Sequence, residues 1–302
     1  MITIHHTKSK TTSIIELSDE TGAYFAKIDL NLGASLQALK IKGKQILANL
    51  HPLKYEDSFN AALLFPFANR IDNGVYSYDN KSYQLKCNET NNNNALHGLI
   101  YHKKFELIKE KTTSTATSVT LEHLETVRNI GFPFTYKVQL IYKITKNSLH
   151  LKVRIENTDT LAFPFTLGWH PYFYSSNLMK SSIRFHADKK VIHNKEMISK
   201  GLEDYKSKES LKLAAKNLDD CFHLSTKKIK FKTPEYHLVL KTTAKNNYLQ
   251  IYTPDNENAI AIEPLTGISN SFNNKEGLQV LKPNASFSTT WKLNNKLDPN
   301  LL

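Results

Sequence analysis

Apolar residues recur at every second position over long stretches of this chain, and a period of two is typical of β-strands. The clearest segment carries six of them, then a short turn at Lys146-Asn147, then four more: Phe134, Tyr136, Val138, Leu140, Tyr142, Ile144, Leu149, Leu151, Val153 and Ile155. Successive side chains of a strand point to opposite faces, so this alternation buries one face and exposes the other. The segment is therefore predicted to be an antiparallel β-hairpin.

Strand patterns of the same kind extend along the chain. They occur at residues 24–30, 36–41, 118–124, 248–252 and 286–293, and turn-forming residues such as Gly33 and Asp72-Asn73-Gly74 separate strands. Helical periodicity is restricted to two short candidates, residues 57–64 and 209–216, and the lysine-rich segment 188–217 is expected to be a long surface excursion.

No linker rich in proline, glycine or serine divides the chain. We therefore predict a single domain over residues 1–302. Its fold class is predicted to be all-β, a large antiparallel β sandwich with few short helices.

The chain is strongly basic, with a formal net charge of +12 from 40 lysine and arginine residues against 28 acidic ones. Only four of the 40 are arginine, and the lysines are scattered along the whole length. Nucleic-acid recognition favours the planar guanidinium group and needs basic residues clustered on one face. A solvated basic surface is the better explanation, and no nucleic-acid partner is expected.

Targeting and cofactor signals are absent from the sequence. The N-terminus lacks the apolar core of a signal peptide, and the longest apolar runs, such as residues 61–68, are too short to span a bilayer. We therefore expect a cytoplasmic protein with no membrane partner. Cys87 and Cys221 suit neither a disulfide framework nor a zinc site, and no phosphate-binding glycine loop or dinucleotide fingerprint occurs. Neither a cofactor nor a metal is expected.

Two titratable residues, His170 and Glu263, stand at the ends of apolar, strand-like segments, and each is followed directly by proline. Proline biases the preceding residue towards an extended backbone and cannot continue a central strand, so both side chains are expected at strand ends. For His170 alone, a core histidine held by backbone hydrogen bonds is the commoner explanation. Glutamate, however, is rarely buried unless it is paired or functional. We interpret the two as a candidate acid/base pair in a cleft.

Three other segments supply polar groups. Arg70 lies in the apolar segment 65–71, where bidentate hydrogen bonding to a ligand and a structural ion pair are equally good explanations. His97 precedes Gly98, a residue that lets a backbone approach a ligand closely. Asp219-Asp220 offers paired acids that either bind hydroxyl groups of a ligand or lie in a solvated loop. Eight other histidines are expected to be structural, namely His5, His6, His102, His123, His150, His186, His193 and His237.

Five motifs in a fixed order resemble the aldose 1-epimerase (galactose mutarotase) family over most of the chain. They are Asn69-Arg70-Ile71 with Asn73-Gly74 and Tyr83-Gln84-Leu85; Asn94-Ala95-Leu96-His97-Gly98; His170-Pro171-Tyr172-Phe173; Leu218-Asp219-Asp220-Cys221-Phe222; and Leu281-Lys282-Pro283-Asn284-Ala285-Ser286 through Trp291. The chain departs from the family pattern at Pro264-Leu265 after the glutamate, at the apolar Phe65-Pro66-Phe67-Ala68, and at Asn284, where many members have glycine. The first two departures alter residues that, by the resemblance, would line the sugar site.

The resemblance implies a galactose mutarotase-like supersandwich that interconverts the α and β anomers of a free aldose without a cofactor. It implies His170 as the general acid and Glu263 as the general base. Arg70, His97 and Asn69 would hydrogen-bond sugar hydroxyls, and Asp220 would fix the orientation of the sugar. We expect a small-molecule monosaccharide as the partner and a monomer or homodimer as the assembly.

Three alternative functions remain open from the sequence. A hexose-6-phosphate mutarotase would suit the positive charge, with lysines of segment 188–217 binding phosphate, although few arginines lie near the motifs. A non-catalytic sugar-binding protein would commonly lack the acid or the base, and this chain has both. A glycoside hydrolase usually needs two carboxylates flanking one bond, which Asp220 and Glu263 would supply.

Overall fold

The computed structural model describes residues 1–207, 210–213, 217–255 and 258–296, and most regular structure in these ranges is β-strand. The first half of the strands, in chain order, comprises β1 (Thr3–Lys8), β2 (Ser13–Ser18), β3 (Phe25–Asp29), β4 (Ser35–Ile41), β5 (Lys44–Gln45), β6 (Leu63–Leu64), β7 (Arg70–Ile71), β8 (Val75–Tyr78), β9 (Lys81–Gln84), β10 (Ala95–Leu96), β11 (Glu106–Thr112), β12 (Ala116–Glu125), β13 (Tyr136–Thr145) and β14 (Ser148–Asn157).

The second half comprises β15 (Phe163–Phe165), β16 (Gly168–Trp169), β17 (Tyr172–Tyr174), β18 (Ser182–Arg184), β19 (Ala187–His193), β20 (Ser199–Asp204), β21 (Leu211–Lys212), β22 (Asp219–Leu224), β23 (Lys228–Lys232), β24 (His237–Thr242), β25 (Tyr248–Tyr252), β26 (Ala259–Leu265), β27 (Gln279–Leu281) and β28 (Ser286–Lys296). Two one-turn helices, α1 (Tyr55–Ser58) and α2 (Ser271–Asn274), complete the described elements together with 3-10 turns at Asp72–Gly74 and Leu178–Lys180.

Two large antiparallel sheets dominate the architecture. The first has nine strands in the order β11-β12-β13-β14-β28-β24-β23-β18-β21. The second has eight, in the order β20-β19-β22-β25-β26-β16-β6, with β17 also paired to β26. A five-stranded sheet, β1 to β5 in sequence order, and three two-stranded ribbons account for the other described strands. This is the predicted all-β sandwich.

The core lies between the two large sheets. Trp169 on β16 stacks on Trp291 of β28, with ring centroids 6.0 Å apart, and Phe173 on β17 meets Phe231 of β23 at 6.2 Å. Each pair joins one sheet to the other. Burying aromatic side chains of this size contributes about 1.5–3 kcal/mol each relative to exposure, so these contacts stabilise the sandwich.

The hairpin predicted from the period of two is confirmed. Strands β13 and β14 pair in register from Tyr136 opposite Asn157 to Thr145 opposite Ser148, around the turn at Lys146-Asn147. The apolar residues of the pattern are buried, as the alternation requires.

Neither predicted helix forms as expected. In segment 57–64 the chain is helical only up to Ser58, because Phe59 and Ala61 adopt left-handed backbone angles, and Leu63–Leu64 form a strand. Within segment 209–216, Leu211–Lys212 pair with β18 as a strand, and residues 209 and 214–216 lie outside the described residues. Short apolar runs do not distinguish helix from strand, and here pairing with the sheets decides.

The segment predicted as a surface excursion, residues 188–217, contains an edge hairpin. Strands β19 and β20 pair with each other, and β19 also pairs with β22, which extends the eight-stranded sheet. Exposure on the edge explains the many lysines, because charged side chains keep an edge strand soluble. No helix among the described residues is long and apolar enough to cross a membrane.

Candidate functional site

Glu263 on β26 lies opposite His170, which stands between β16 and β17 of the eight-stranded sheet. The pairs Tyr172–Ala261 and Gly168–Leu265 bracket them symmetrically, two residues away on each side. Trp169 points into the sandwich, so the side chain of the next residue along an extended backbone points to the opposite face. There His170 Nε2 lies 3.3 Å from Glu263 Oε1. The sequence pattern placed the two residues at strand ends, and the sheet brings them into contact.

The prolines after the two residues have different effects. Pro171 separates β16 from β17, as predicted. Pro264 does not end its strand, because β26 continues through it to Leu265 and pairs there with β25. The expectation that Glu263 stands at a strand end is therefore wrong, and the residue lies inside a central strand. Its carboxylate faces His170 where the neighbouring strand is interrupted.

The candidate acid/base pair is almost fully buried, with 5% of His170 and 2% of Glu263 exposed. Burial disfavours charge, so it raises the pKa of Glu263 well above its ordinary value, an effect that nearby Asp219 adds to and Arg70 opposes. Burial also lowers the pKa of His170 to about 4. Glu263 Oε2 and His170 Nδ1 are buried without a hydrogen-bond partner among the described residues. Buried polar atoms without partners are rare, and a pair of them here is what a ligand site would show.

His97 joins this pair. Its ring packs edge-on against the ring of His170, with centroids 4.9 Å apart, and its backbone N–H donates to the carbonyl of Asn69. Burial lowers the pKa of His97 well below its ordinary value, and the charges of His170 and Arg70 act in the same direction. The neighbouring Gly98 lies close to the backbone of Phe65.

Arg70 and Asn69 lie at the edge of the same site. The Arg70 guanidinium donates to both carboxylate oxygens of Glu89, from Nε at 2.9 and 3.0 Å and from a terminal nitrogen at 2.7 Å. Asn69 Oδ1 accepts from another terminal nitrogen at 3.3 Å, and Asn69 Nδ2 lies 3.5 Å from Gln250 Oε1. The structural ion pair that the sequence offered as one explanation for Arg70 is therefore present. The guanidinium still has N–H groups available to a ligand.

The structure separates the two neighbouring aspartates. Asp220 lies opposite Ile251, its side chain belongs to the other face of the sheet, and it pairs with Lys190 at 2.7 Å. Asp219 shares the face of Gln250 and Glu263, and its carboxylate accepts a hydrogen bond from Gln250 Nε2 at 2.5 Å. The assignment of Asp220 to the site therefore requires correction to Asp219, because a shift of one residue along a strand reverses the face.

Three side chains of this region were missed by sequence reasoning. Gln250 lies in a segment whose pattern indicates only a strand, and Glu89 lies in a polar segment without a distinguishing pattern. His193, expected to be structural, has a buried Nε2 without a partner among the described residues, and burial and the charge of Arg70 lower its pKa to about 4. The place of each side chain in this region depends on residues distant in sequence, and a single sequence carries no signal for such proximity.

Other surface features offer less chemistry. A cleft of about 550 Å³, lined by residues including His102, Arg128 and Ile130, lies away from the histidine–glutamate pair, and no carboxylate is among its described lining residues. Within the described part of the chain, no three histidine, cysteine, aspartate or glutamate side chains meet in an arrangement that could hold a metal ion. The buried pair is the better candidate for a catalytic centre.

The fold is that of the galactose mutarotase-like β sandwiches, because the chain superimposes on one of them over 98% of its length. The model of the aldose 1-epimerase family matches residues 14–294, and the chain belongs to this family. Its resemblance to that family is thereby confirmed.

Individual relatives are distant. The chain is 26% identical over 298 residues to the uncharacterized protein YihR of Escherichia coli, covering 93% of this chain and 92% of that protein. It is 25% identical over 172 residues to galactose mutarotase of Bos taurus, covering 53% and 48%. Among solved structures, a galactose mutarotase-like protein from Clostridium acetobutylicum superimposes with a TM-score of 0.86 at 23% identity, covering 98% of this chain and 99% of that one. Galactose 1-epimerase from Lactobacillus acidophilus gives a TM-score of 0.81 at 16% identity, covering 98% of each chain.

Proposed function

We propose that the protein is a mutarotase that interconverts the α and β anomers of a free aldose by acid/base ring opening and reclosure. The 3.3 Å contact between His170 Nε2 and Glu263 Oε1 carries the proposal, because it joins a proton donor and a proton acceptor in a buried setting. Membership of the aldose 1-epimerase family supports it. Similarity to a bovine galactose mutarotase makes galactose the first sugar to test.

The reaction requires one proton to leave the anomeric hydroxyl while another reaches the ring oxygen. We assign Glu263 as the base that takes the proton from O1 and His170 as the acid that gives its Nε2 proton to O5. The C1–O5 bond then breaks to give the open-chain aldehyde, and rotation about C1–C2 presents the other face of the carbonyl. Return of both protons closes the ring as the other anomer, so the pair ends as it began.

Burial governs how the pair holds its proton before a sugar binds. The raised pKa of Glu263 and the lowered pKa of His170 favour an uncharged carboxyl beside an uncharged imidazole. Transfer of one proton across the 3.3 Å contact turns this form into the carboxylate and imidazolium that the proposed mechanism uses. Both forms carry the same number of protons, so none has to enter from solvent.

We assign sugar binding to the polar groups around the pair. Arg70 retains N–H groups that can donate to sugar hydroxyls, while His97 offers an unpartnered, buried Nδ1. Asn69 and Asp219, both linked through Gln250, complete the set. Asp219 replaces Asp220 in this proposal, because only the former lies on the face of Glu263.

Replacing each aspartate in turn tests this assignment. Asp219→Asn is expected to lower kcat/KM by about 10- to 100-fold, the usual effect of removing a charged hydrogen-bond acceptor. Asp220→Asn breaks a partly exposed ion pair with Lys190 and should change kcat/KM by no more than about twofold. The two substituted residues are adjacent in sequence but lie on opposite faces of the sheet. A larger loss in Asp220→Asn would contradict the assignment of Asp219.

The pH dependence of kcat/KM should reflect the uncharged resting pair. Below the lowered pKa of His170, about 4, a second proton charges the imidazole and activity falls. Above the raised pKa of Glu263 the pair loses its shared proton, so activity also falls on the basic side of that pKa. Activity should thus persist at about pH 5, below the ordinary histidine value of about 6.5. Exchange rates measured from pH 4 to 9 and corrected for the buffer rate test this prediction. A fall in activity centred near pH 6.5 on the acid side would contradict an uncharged resting pair.

The charges near the site favour a free sugar over a sugar phosphate. Arg70 is paired with Glu89, Lys190 with Asp220, and Lys189 with Asp204. These cations are therefore compensated by carboxylates. The glycoside hydrolase alternative loses Asp220, which points away from Glu263, and would need Asp219 as its second carboxylate.

Anomeric exchange measured by NMR tests the proposed function. We expect the protein to accelerate exchange of galactose or glucose above the buffer rate, and to act on glucose 6-phosphate more weakly. Acceleration confined to the phosphate would support the hexose-6-phosphate alternative, and binding of a sugar without acceleration would indicate a non-catalytic sugar-binding protein.

A further inference from the structure

Glu89 forms a bidentate ion pair with Arg70, a residue of the proposed sugar site. Both of its oxygens accept from Arg70 Nε, at 2.9 and 3.0 Å, and Oε1 also accepts from a terminal guanidinium nitrogen at 2.7 Å. The two side chains are only 15% and 16% exposed. A bidentate pair of this kind fixes the plane and rotation of the guanidinium, which a single contact does not.

Glu89 is itself held in place. Asn94 Nδ2 donates to Glu89 Oε2 at 2.8 Å, and the backbones of the two residues exchange hydrogen bonds at 3.1 and 3.3 Å. Asn94 is fully buried, and its side chain also contacts the backbone of Asn73 and of Glu196. Although burial opposes it, the hydrogen bonds from Arg70 and Asn94 hold the pKa of Glu89 below its ordinary value. The carboxylate is thus a charged, immobile acceptor.

This arrangement determines what Arg70 can offer to a ligand. A guanidinium has five N–H donors. Glu89 takes the Nε donor and one from a terminal nitrogen, and Asn69 takes one from the other terminal nitrogen. One N–H remains on each terminal nitrogen. Since both are tied to the same fixed plane, their directions are set before a ligand arrives.

We propose that Glu89 is a positioning residue, whose carboxylate holds the Arg70 guanidinium so that its two remaining N–H groups meet the sugar beside Glu263. The proposal rests on the mutarotase function proposed above. Glu89 acts only through Arg70 and contacts neither the sugar nor the reacting atoms. A misplacement of about 1 Å is enough to lower a rate by about 100-fold, so the effect of losing such a residue can be large.

A double-mutant cycle separates positioning from a structural role. Glu89→Gln is expected to lower kcat/KM by about 30-fold, chiefly through KM, because the amide cannot accept both N–H groups in the same geometry. Arg70→Lys keeps the positive charge but removes the planar guanidinium group, and should lower kcat/KM by a similar factor. If Glu89 acts through Arg70, the double variant should be no more than about threefold worse than either single variant.

Controls come from the same chain. Glu89→Asp keeps the negative charge, and its KM should lie between those of the wild type and Glu89→Gln. Glu156→Gln, which removes a glutamate near Arg154 on the nine-stranded sheet, should leave kinetics unchanged. Multiplicative losses in the double variant, or a wild-type KM in Glu89→Gln, would overturn the proposal while leaving the mutarotase function intact. A wild-type protein that neither accelerates exchange nor binds any sugar would overturn both.

Discussion

Glu263→Gln is expected to reduce the enzyme-catalysed rate of anomeric exchange by about a thousandfold, within the range that a positioned general base contributes. The amide has nearly the same shape as the carboxyl group but cannot take a proton from the anomeric hydroxyl. It also cannot share a proton with His170 across the 3.3 Å contact. The expected loss therefore lies mainly in kcat, because a base acts in the transition state more than in binding.

The fold should survive this change. Glu263 is 2% exposed, and burial raises its pKa, so the folded protein already favours the uncharged form that glutamine imitates. The same exchange experiment by NMR, with circular dichroism and the unfolding midpoint as checks of structure, measures the effect. Glu110→Gln, an exposed glutamate on β11, is the matched control. Near-normal exchange in folded Glu263→Gln would remove Glu263 from the mechanism.

His170→Asn belongs to the same experiment. It should lose most of the activity for the complementary reason, because asparagine cannot deliver a proton to the ring oxygen. Equal losses in the two single variants and no further loss in their combination are expected of two groups that act as one unit.

The sequence predicted the fold because its strands are amphipathic. The alternation over residues 134–155 specifies both the strand and its buried face, and these are local properties. The helical prediction for segment 57–64 failed because left-handed backbone angles at Phe59 and Ala61 end the helix, and strand pairing then takes over.

The candidate site was harder to predict because it is assembled across strands. Glu263 and Gln250 lie in register on β26 and β25, and β22 follows next with Asp219 on the same face. Which of two adjacent aspartates faces Glu263 depends on this register, and a single sequence does not contain it. His170 and Glu263 were recognisable because proline followed each of them, although only Pro171 interrupts its strand.

Gly98→Ala is expected to destabilise the protein far more than Gly43→Ala, although both glycines have left-handed backbone angles, φ +78° and +71°. A left-handed conformation costs an alanine about 1–2 kcal/mol at either position. At Gly43 a new Cβ would meet nothing within 4 Å. At Gly98 it would lie 2.6 Å from the carbonyl carbon of Phe65 and 2.8 Å from its nitrogen, distances that real Cβ atoms do not adopt. Overpacking of this kind adds about 1–3 kcal/mol.

The contact at Gly98 also bears on the site. The carbonyl of Phe65 accepts the backbone N–H groups of Leu99 and Ile100, so an added methyl group would push apart the backbone that carries the adjacent His97. Gly98→Ala should therefore lose both stability and exchange activity, whereas Gly43→Ala should lose only about 1–2 kcal/mol of stability. Urea unfolding of both variants gives the free-energy difference, and NMR exchange at a temperature where both remain folded gives the activity. Equal destabilisation of the two would show that the chain relaxes around Gly98, and that close backbone approach does not hold His97 against His170.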